Sequence, residues 1–264
     1  MLVPDREVRG AFFVRVGGTD QSFVDPADPT RLEFDYVQRI ADVIDTIAPA
    51  GERIRVVHVG GAGMSLPRYV AATRPRSAQI VLEPDAAMTE EVRRVLPLPR
   101  QSWIKVRPVD GRTGLAAMPA DYCDLVIIDA FAGAQVPAEL CSTEWFAELA
   151  RVLDDAGTVT MNLTDQAPFT HARRVVATMA ATFRPVVVAT EPATLKGNRF
   201  GNLIVSAGGA AVVGELERRA RTAAFPYRLL AGQTLERWIG PALPFTDANT
   251  EPSPQPVGGP MTFR

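Results

Sequence analysis

From Arg53 onward the chain alternates short apolar runs with amphipathic stretches, and nothing else in the sequence constrains the fold as strongly. The apolar runs are residues 54–59, 78–82, 103–106, 125–128, 158–163 and 186–190, and helical patterning at 66–73, 85–96, 143–153 and 169–183 separates most of them. Strands joined through helices run parallel, and strands apolar on both faces need cover on both faces. A final run, 200–206, follows the sixth after a short Gly197-Asn198 turn and is expected to be antiparallel. The prediction is an α/β fold, Rossmann-like, with a seven-stranded, mostly parallel sheet. Residues 212–224 and 229–239 read as terminal helices.

The first fifty residues follow another pattern. Ala11-Phe-Phe-Val-Arg-Val16 and Asp20-Gln-Ser-Phe-Val24 flank Gly17-Gly18 and read as a β-hairpin. Asp28 before Pro29 suits an N-cap and first helical position, with Leu32, Tyr36, Ile40, Val43 and Ile47 on one face. The expected organisation is a hairpin and helix over 1–50, an α/β domain over 51–240, and a Pro/Gly-rich tail over 241–264, extended or disordered.

Composition narrows the function. A net charge of −2 offers no basic face for nucleic acid or anionic lipid. No apolar run reaches the ~20 residues of a membrane span, and residues 1–10 carry charges rather than a signal peptide's apolar stretch. Two cysteines, Cys123 and Cys141, and two histidines, His58 and His171, form no metal-ligand spacing. A cytoplasmic protein without nucleic-acid or membrane partners and without a metal is expected. His58 reads as a core histidine and His171 as a surface residue.

The chemistry concentrates at strand ends. Val56-Val-His-Val-Gly60-Gly61-Ala62-Gly63 is a strand entering a Gly-rich turn, where a ligand can approach a helix N-terminus. About 20 residues on, the next strand ends in Glu83, where a carboxylate accepts both hydroxyls of a ribose. Asp110-Gly111 closes the third strand and suits an adenine amino group, or only a turn. The fourth strand, 125–128, runs straight into Asp129; a carboxylate closing an apolar strand is costly unless partnered, which marks it for chemistry. Asp124, at the other end of that strand, reads as structural.

These residues resemble the polyamine synthases, meaning spermidine synthase and its aminopropyltransferase relatives, whose fold is that of the class I methyltransferases. The resemblance spans about residues 11–206. Val16-Gly17-Gly18-Thr19-Asp20-Gln21 matches the family hairpin at its last glycine and glutamine, and Glu33-Phe34-Asp35-Tyr36 matches its Glu-Phe-x-Tyr. Leu140-Cys-Ser-Thr-Glu-Trp-Phe146 resembles the family helix before its Gly-led strand. The resemblance implies that Gln21 and Tyr36 face the substrate, Glu83 holds ribose, Asp110-Gly111 lies beside adenine, and Asp129 is the general base. It further implies decarboxylated S-adenosylmethionine, or S-adenosylmethionine itself, as co-substrate, a putrescine-like amine as acceptor, and a homodimer as one assembly open to the chain.

Two positions depart from the family. Gly63 stands where its Gly-Gly-Gly-Asp-Gly loop has the aspartate, and Ala132 replaces the second acid of its Asp-x-x-Asp. The adenosine half of the site is kept and the amine half is depleted. Three functions stay open: aminopropyl transfer to a polyamine, methyl transfer to a small acceptor, and binding of an adenosyl ligand or polyamine without catalysis. Asp165, ending the strand after Asp129, is a candidate to replace the lost acids and hold an acceptor ammonium; the other reading makes it a cap for the helix beginning near Phe169.

Overall fold

The computed structural model describes residues 1–256 except 17, 62, 210, 211, 224 and 225. Gly17 of the hairpin turn, Ala62 of the glycine loop, the end of the expected 212–224 helix and the last part of the tail therefore lie outside the described residues.

Five parallel strands form one side of the main sheet, out to its β6 edge: β4 (Arg55–Val59), β5 (Ala78–Leu82), β6 (Ile104–Arg107), β7 (Cys123–Ile128) and β8 (Leu153–Asp165). The strand β10 (Gly201–Gly208) lies antiparallel between β8 and β9 (Val186–Thr190), joined to β9 through the one-turn helix α7 (Pro192–Leu195). The whole order is β11-β9-β10-β8-β7-β4-β5-β6. It reverses direction between β5 and β7, on either side of β4, so the crevice beyond the carboxyl ends of β4, β5 and β7 is where a ligand is expected in an open α/β sheet.

Alternation along each strand sends side chains to two separate cores. Val56, Leu125, Ile127 and Ile204 meet α1 (Asp35–Thr46), α2 (Ser65–Thr73) and α8 (Val212–Thr222). Val57, Val126, Ile128 and Met161 meet α4 (Gly111–Ala116), α5 (Thr143–Val152), α6 (Thr170–Thr182) and α9 (Gly232–Ile239). Each fully buried aliphatic side chain contributes roughly 1.5–3 kcal/mol, so β7, buried on both faces, anchors the sheet at the strand that delivers Asp129.

Four local expectations differ from the structure. The main sheet has eight strands rather than seven: β11 (Arg228–Ala231) pairs antiparallel with β9, and only Gly232–Ile239 of the expected 229–239 helix is helical. Residues 228–231 meet the exposed edge of β9, and edge pairing outweighs helical patterning there. The N-terminal hairpin, β2 (Phe12–Val16) and β3 (Thr19–Val24), gains a third strand, β1 (Leu2–Pro4), too short to stand out and ended by a proline. Helix α1 starts at Asp35, because Asp28 closes its own turn, accepting from the Thr30 amide and hydroxyl. His171 is buried rather than exposed, its Nε2 paired at 3.0 Å with the Glu251 carbonyl.

That last partner belongs to a strap. Residues 241–256 run without regular structure across α5 and α6, where Phe245 is wholly buried and its amide donates to Thr178 Oγ1. Helix α3 (Ala86–Val95) packs Val92 with Val14 and Val24 of the N-terminal sheet. Among the described residues, no helix is long and apolar enough to cross a membrane.

Candidate functional site

A cavity of about 1000 Å³ opens at the carboxyl ends of β4, β5, β7 and β8, walled on one side by β3 and the start of α1. Its size suits a nucleoside with a second small molecule beside it.

One half is built from backbone. Gly60 has φ +89°, and a Cβ there would lie 2.2 Å from the Asp129 carbonyl oxygen, so only glycine lets the turn after β4 pass the end of β7. At Gly61 a Cβ would meet Val81 Cγ1 at 2.5 Å; its amide instead donates to Glu83 Oε2 at 2.9 Å. The Asp85 amide donates to Glu83 Oε1 at 3.0 Å. The glycine turn and the end of β5 thus fix one carboxylate at the cavity wall. Asp110 lies further along the same wall, capping α4 by accepting from the Thr113 amide and hydroxyl, which hold its pKa below the usual carboxylate value. Asp110 thus closes its own turn while lining the cavity. Gly111, also in the wall, packs against Val59, which a Cβ would approach to 2.6 Å.

Gly63 is not in this wall. A Cβ there would meet Ser22 Cβ at 2.8 Å and Val14 and Val24 Cγ2 at 3.0 Å, and the Gly63 amide donates to Ser22 Oγ. The lack of a side chain there lets the N-terminal sheet seat on the turn. Ser65, donating from Oγ to the Phe23 carbonyl at 2.6 Å, fastens the same seam.

The other half is built from side chains. Asp129 Oδ1 accepts from Asn162 Nδ2 at 2.9 Å, and Asn162 Oδ1 accepts in turn from Asn202 Nδ2 at 2.9 Å. Burial pushes the Asp129 carboxyl up to about 6, against the opposing effect of the Asn162 bond. Tyr36, from α1, faces the same space with its hydroxyl 3.4 Å from the Gln21 carbonyl oxygen; burial, and then the Asp129 charge, hold its pKa well above the ordinary tyrosine value. Gln21, Tyr36, Glu83, Asp110 and Asp129 therefore share one cavity. His58 sits at its floor, paired with Gln79 Oε1 at 2.9 Å and pushed down to about 4 by burial, hence neutral.

Asp165 is not brought to this cavity. Its Oδ2 accepts from the Ala172 amide and its Oδ1 from the Gln166 amide, and it borders a separate, smaller hollow with His171 and Glu251. Strand parity explains this: along β8, Asn162 and Thr164 face Asp129, whereas Met161, Leu163 and Asp165 face the opposite side. The sequence reading missed Asn162 and Asn202. The available signal was the polar alternation Thr158, Thr160, Asn162, Thr164, which places a hydrophilic stripe on one face of an otherwise apolar strand.

Around the cavity the described residues supply eight carboxylates, from Asp20 to Glu191, against two guanidiniums, Arg39 and Arg199. The whole chain carries only −2, so negative charge is concentrated at this opening.

No protein-family model matches the chain. A polyamine aminopropyltransferase of Vibrio vulnificus (strain CMCP6) is 27% identical over 143 residues, 53% of this chain and 46% of that protein, so the match spans less than half of the relative's length. The crystal structure of a probable spermidine synthase from Corynebacterium glutamicum ATCC 13032 superposes with a TM-score of 0.85 at 25% identity, covering 93% of this chain and 92% of that one. Human methyltransferase-like protein 13 in complex with SAH matches in fold alone, with a TM-score of 0.58 at 18% identity over 81% of this chain and 96% of that one. The chain is spermidine synthase-like in sequence and structure, on a methyltransferase-like fold.

Proposed function

We propose that the cavity binds decarboxylated S-adenosylmethionine and transfers its aminopropyl group to a putrescine-like amine. In this reading Glu83 accepts from the ribose hydroxyls, and Asp110 faces the adenine amino group, each a charged acceptor worth roughly 1.5–3 kcal/mol per hydrogen bond. The acceptor nitrogen attacks the propyl carbon bonded to the sulfonium sulfur. The S–C bond breaks, methylthioadenosine leaves, and the proton shed by the nitrogen passes to Asp129. An amine near pKa ~10.4 gives up its proton reluctantly, and a carboxyl raised to about 6 is a better base for it than an ordinary aspartate. Asn162 keeps that carboxyl aimed, and Tyr36, which stays protonated, shapes the channel.

The observation that carries the reading is the charge of the cavity. Eight carboxylates facing two guanidiniums favour substrates that are cationic throughout, as a decarboxylated sulfonium and a polyamine are. Intact S-adenosylmethionine would add its own carboxylate to that field. The similarity to a polyamine aminopropyltransferase and to a probable spermidine synthase supports the same choice, and a fold shared with a protein bound to SAH supports an adenosyl ligand. The replaced acid at Ala132, in the cavity wall, bears on how tightly the amines are held.

Thermal shift with decarboxylated S-adenosylmethionine, S-adenosylmethionine and methylthioadenosine, all at one concentration, ranks them by affinity, and a ligand present at ~100 times its dissociation constant stabilises by ~2.7 kcal/mol. The expected order puts the decarboxylated form ahead of the intact one. Preference for the intact form with a methylated product would establish methyl transfer instead, and binding without product would establish a non-catalytic protein.

A further inference from the structure

We propose that the C-terminal strap is a working part of the cavity, and that Ser253 is a positioning residue that fixes the 130–137 segment over Asp129. The proposal rests on the adenosyl-transfer reading above only for the identity of the ligand.

Residues 130–134 and Pro137 follow Asp129 directly and form one wall of the cavity. Within the segment, backbone pairing is limited to the isolated bridge between Ala132 and Gln135. Its order comes from elsewhere in the chain. The Val136 amide donates to Ser253 Oγ at 2.9 Å, and the Ser253 amide donates back to the Val136 carbonyl at 3.1 Å. Gln135 Nε2 donates to the Ser253 carbonyl, and Gln255 Nε2 donates to Gln135 Oε1 at 3.0 Å. Ser253 and Val136 are both fully buried, so an amide left without its hydroxyl partner there cannot turn to water instead.

Two features tie this brace to the chemistry rather than to stability alone. Ser253 Oγ also lies 3.5 Å from Thr164 Oγ1, on the cavity face of β8 and one step along that face from Asn162, the residue that holds Asp129. Three residues further on, Pro256 itself enters the cavity wall. The strap is held independently of the segment it braces: Asp247 pairs with Arg112 and Ser142, and Phe245 is buried between α5 and α6. An anchored strap thus supplies the fixed side, and the cavity wall the side that needs fixing.

Amide hydrogen exchange and methylthioadenosine calorimetry on Ser253→Ala and Gln135→Ala, with Leu243→Ala, an exposed side chain on the same strap, as the control, test the proposal. Exchange at Gln135 and Val136 should accelerate at least ~10-fold in both brace variants, with β4 and β5 unchanged, because only a local opening is made easier. Methylthioadenosine affinity should fall about 5-fold or more in both and stay within two-fold in the control. Unchanged exchange at Val136 overturns the brace, and faster exchange with wild-type affinity overturns its link to the cavity. Should the wild-type chain not bind methylthioadenosine, the adenosyl reading fails, whereas the brace still stands or falls on the exchange data.

Discussion

The two halves of the cavity are made in different ways. The half around Glu83 uses residues 60–111, three consecutive strand ends and the turns between them, and its contacts are mostly backbone amides. The half around Asp129 draws on Gln21, Tyr36, Asn162, Asn202 and the strap at Ser253, brought together from across the whole chain. A site of the first kind tolerates change poorly, because glycine is required by 2.2 and 2.5 Å approaches. A site of the second kind can exchange side chains while its backbone stays put. Of the two departures read from the sequence, Ala132 lines the cavity and Gly63 packs against the N-terminal sheet.

The largest effect should come from the half built of side chains. Asp129→Asn is expected to lower turnover by ~10²–10⁴ while methylthioadenosine binding stays within a few-fold, since it removes a base and no nucleoside contact. The same variant should melt higher than wild type at pH 7. A carboxyl raised from 3.8 to about 6 in the fold contributes stability that is complete below its unfolded pKa and lost as pH rises through 6, so the difference should vanish near pH 4. Near-wild-type turnover in a rigorously purified variant would place the chemistry elsewhere.

Restoring the first missing acid should hurt. Gly63→Asp forces a side chain against Ser22, Val14 and Val24 and should cost ~1–3 kcal/mol of stability without improving catalysis, as read by denaturant unfolding. Gly63 was legible as a loop glycine, but its purpose was not: the sheet it seats lies some forty residues earlier. The β4 turn, Glu83 and Asp129 could be read directly because each is a chemical signal at a strand end. Of the two readings of Asp165, the bond from the Ala172 amide fits the cap, because strand parity, not position along the strand, decides which face a side chain joins; the burial of His171 depends on a strap eighty residues away.

Glu83→Gln trades a charged acceptor for a neutral one on the backbone-built side. Methylthioadenosine should bind about ten-fold more weakly by calorimetry, and equal affinity would remove Glu83 from the nucleoside site. Asn162→Ala should shift the acidic limb of the rate profile above 6, since the lost hydrogen bond favoured the charged carboxylate. The smallest change is expected from Ala132→Asp. Ala132 is exposed in the segment after Asp129, so an added acid should leave stability within ~0.5 kcal/mol while lowering the Michaelis constant for a diamine.

The central claim is that an anionic cavity on a methyltransferase-like fold serves two cationic substrates. Mass analysis of reactions containing putrescine with either decarboxylated or intact S-adenosylmethionine tests it most directly. The account predicts spermidine and methylthioadenosine from the decarboxylated donor and no product from the intact one. A methylated amine from the intact donor, or no product from either, would contradict it.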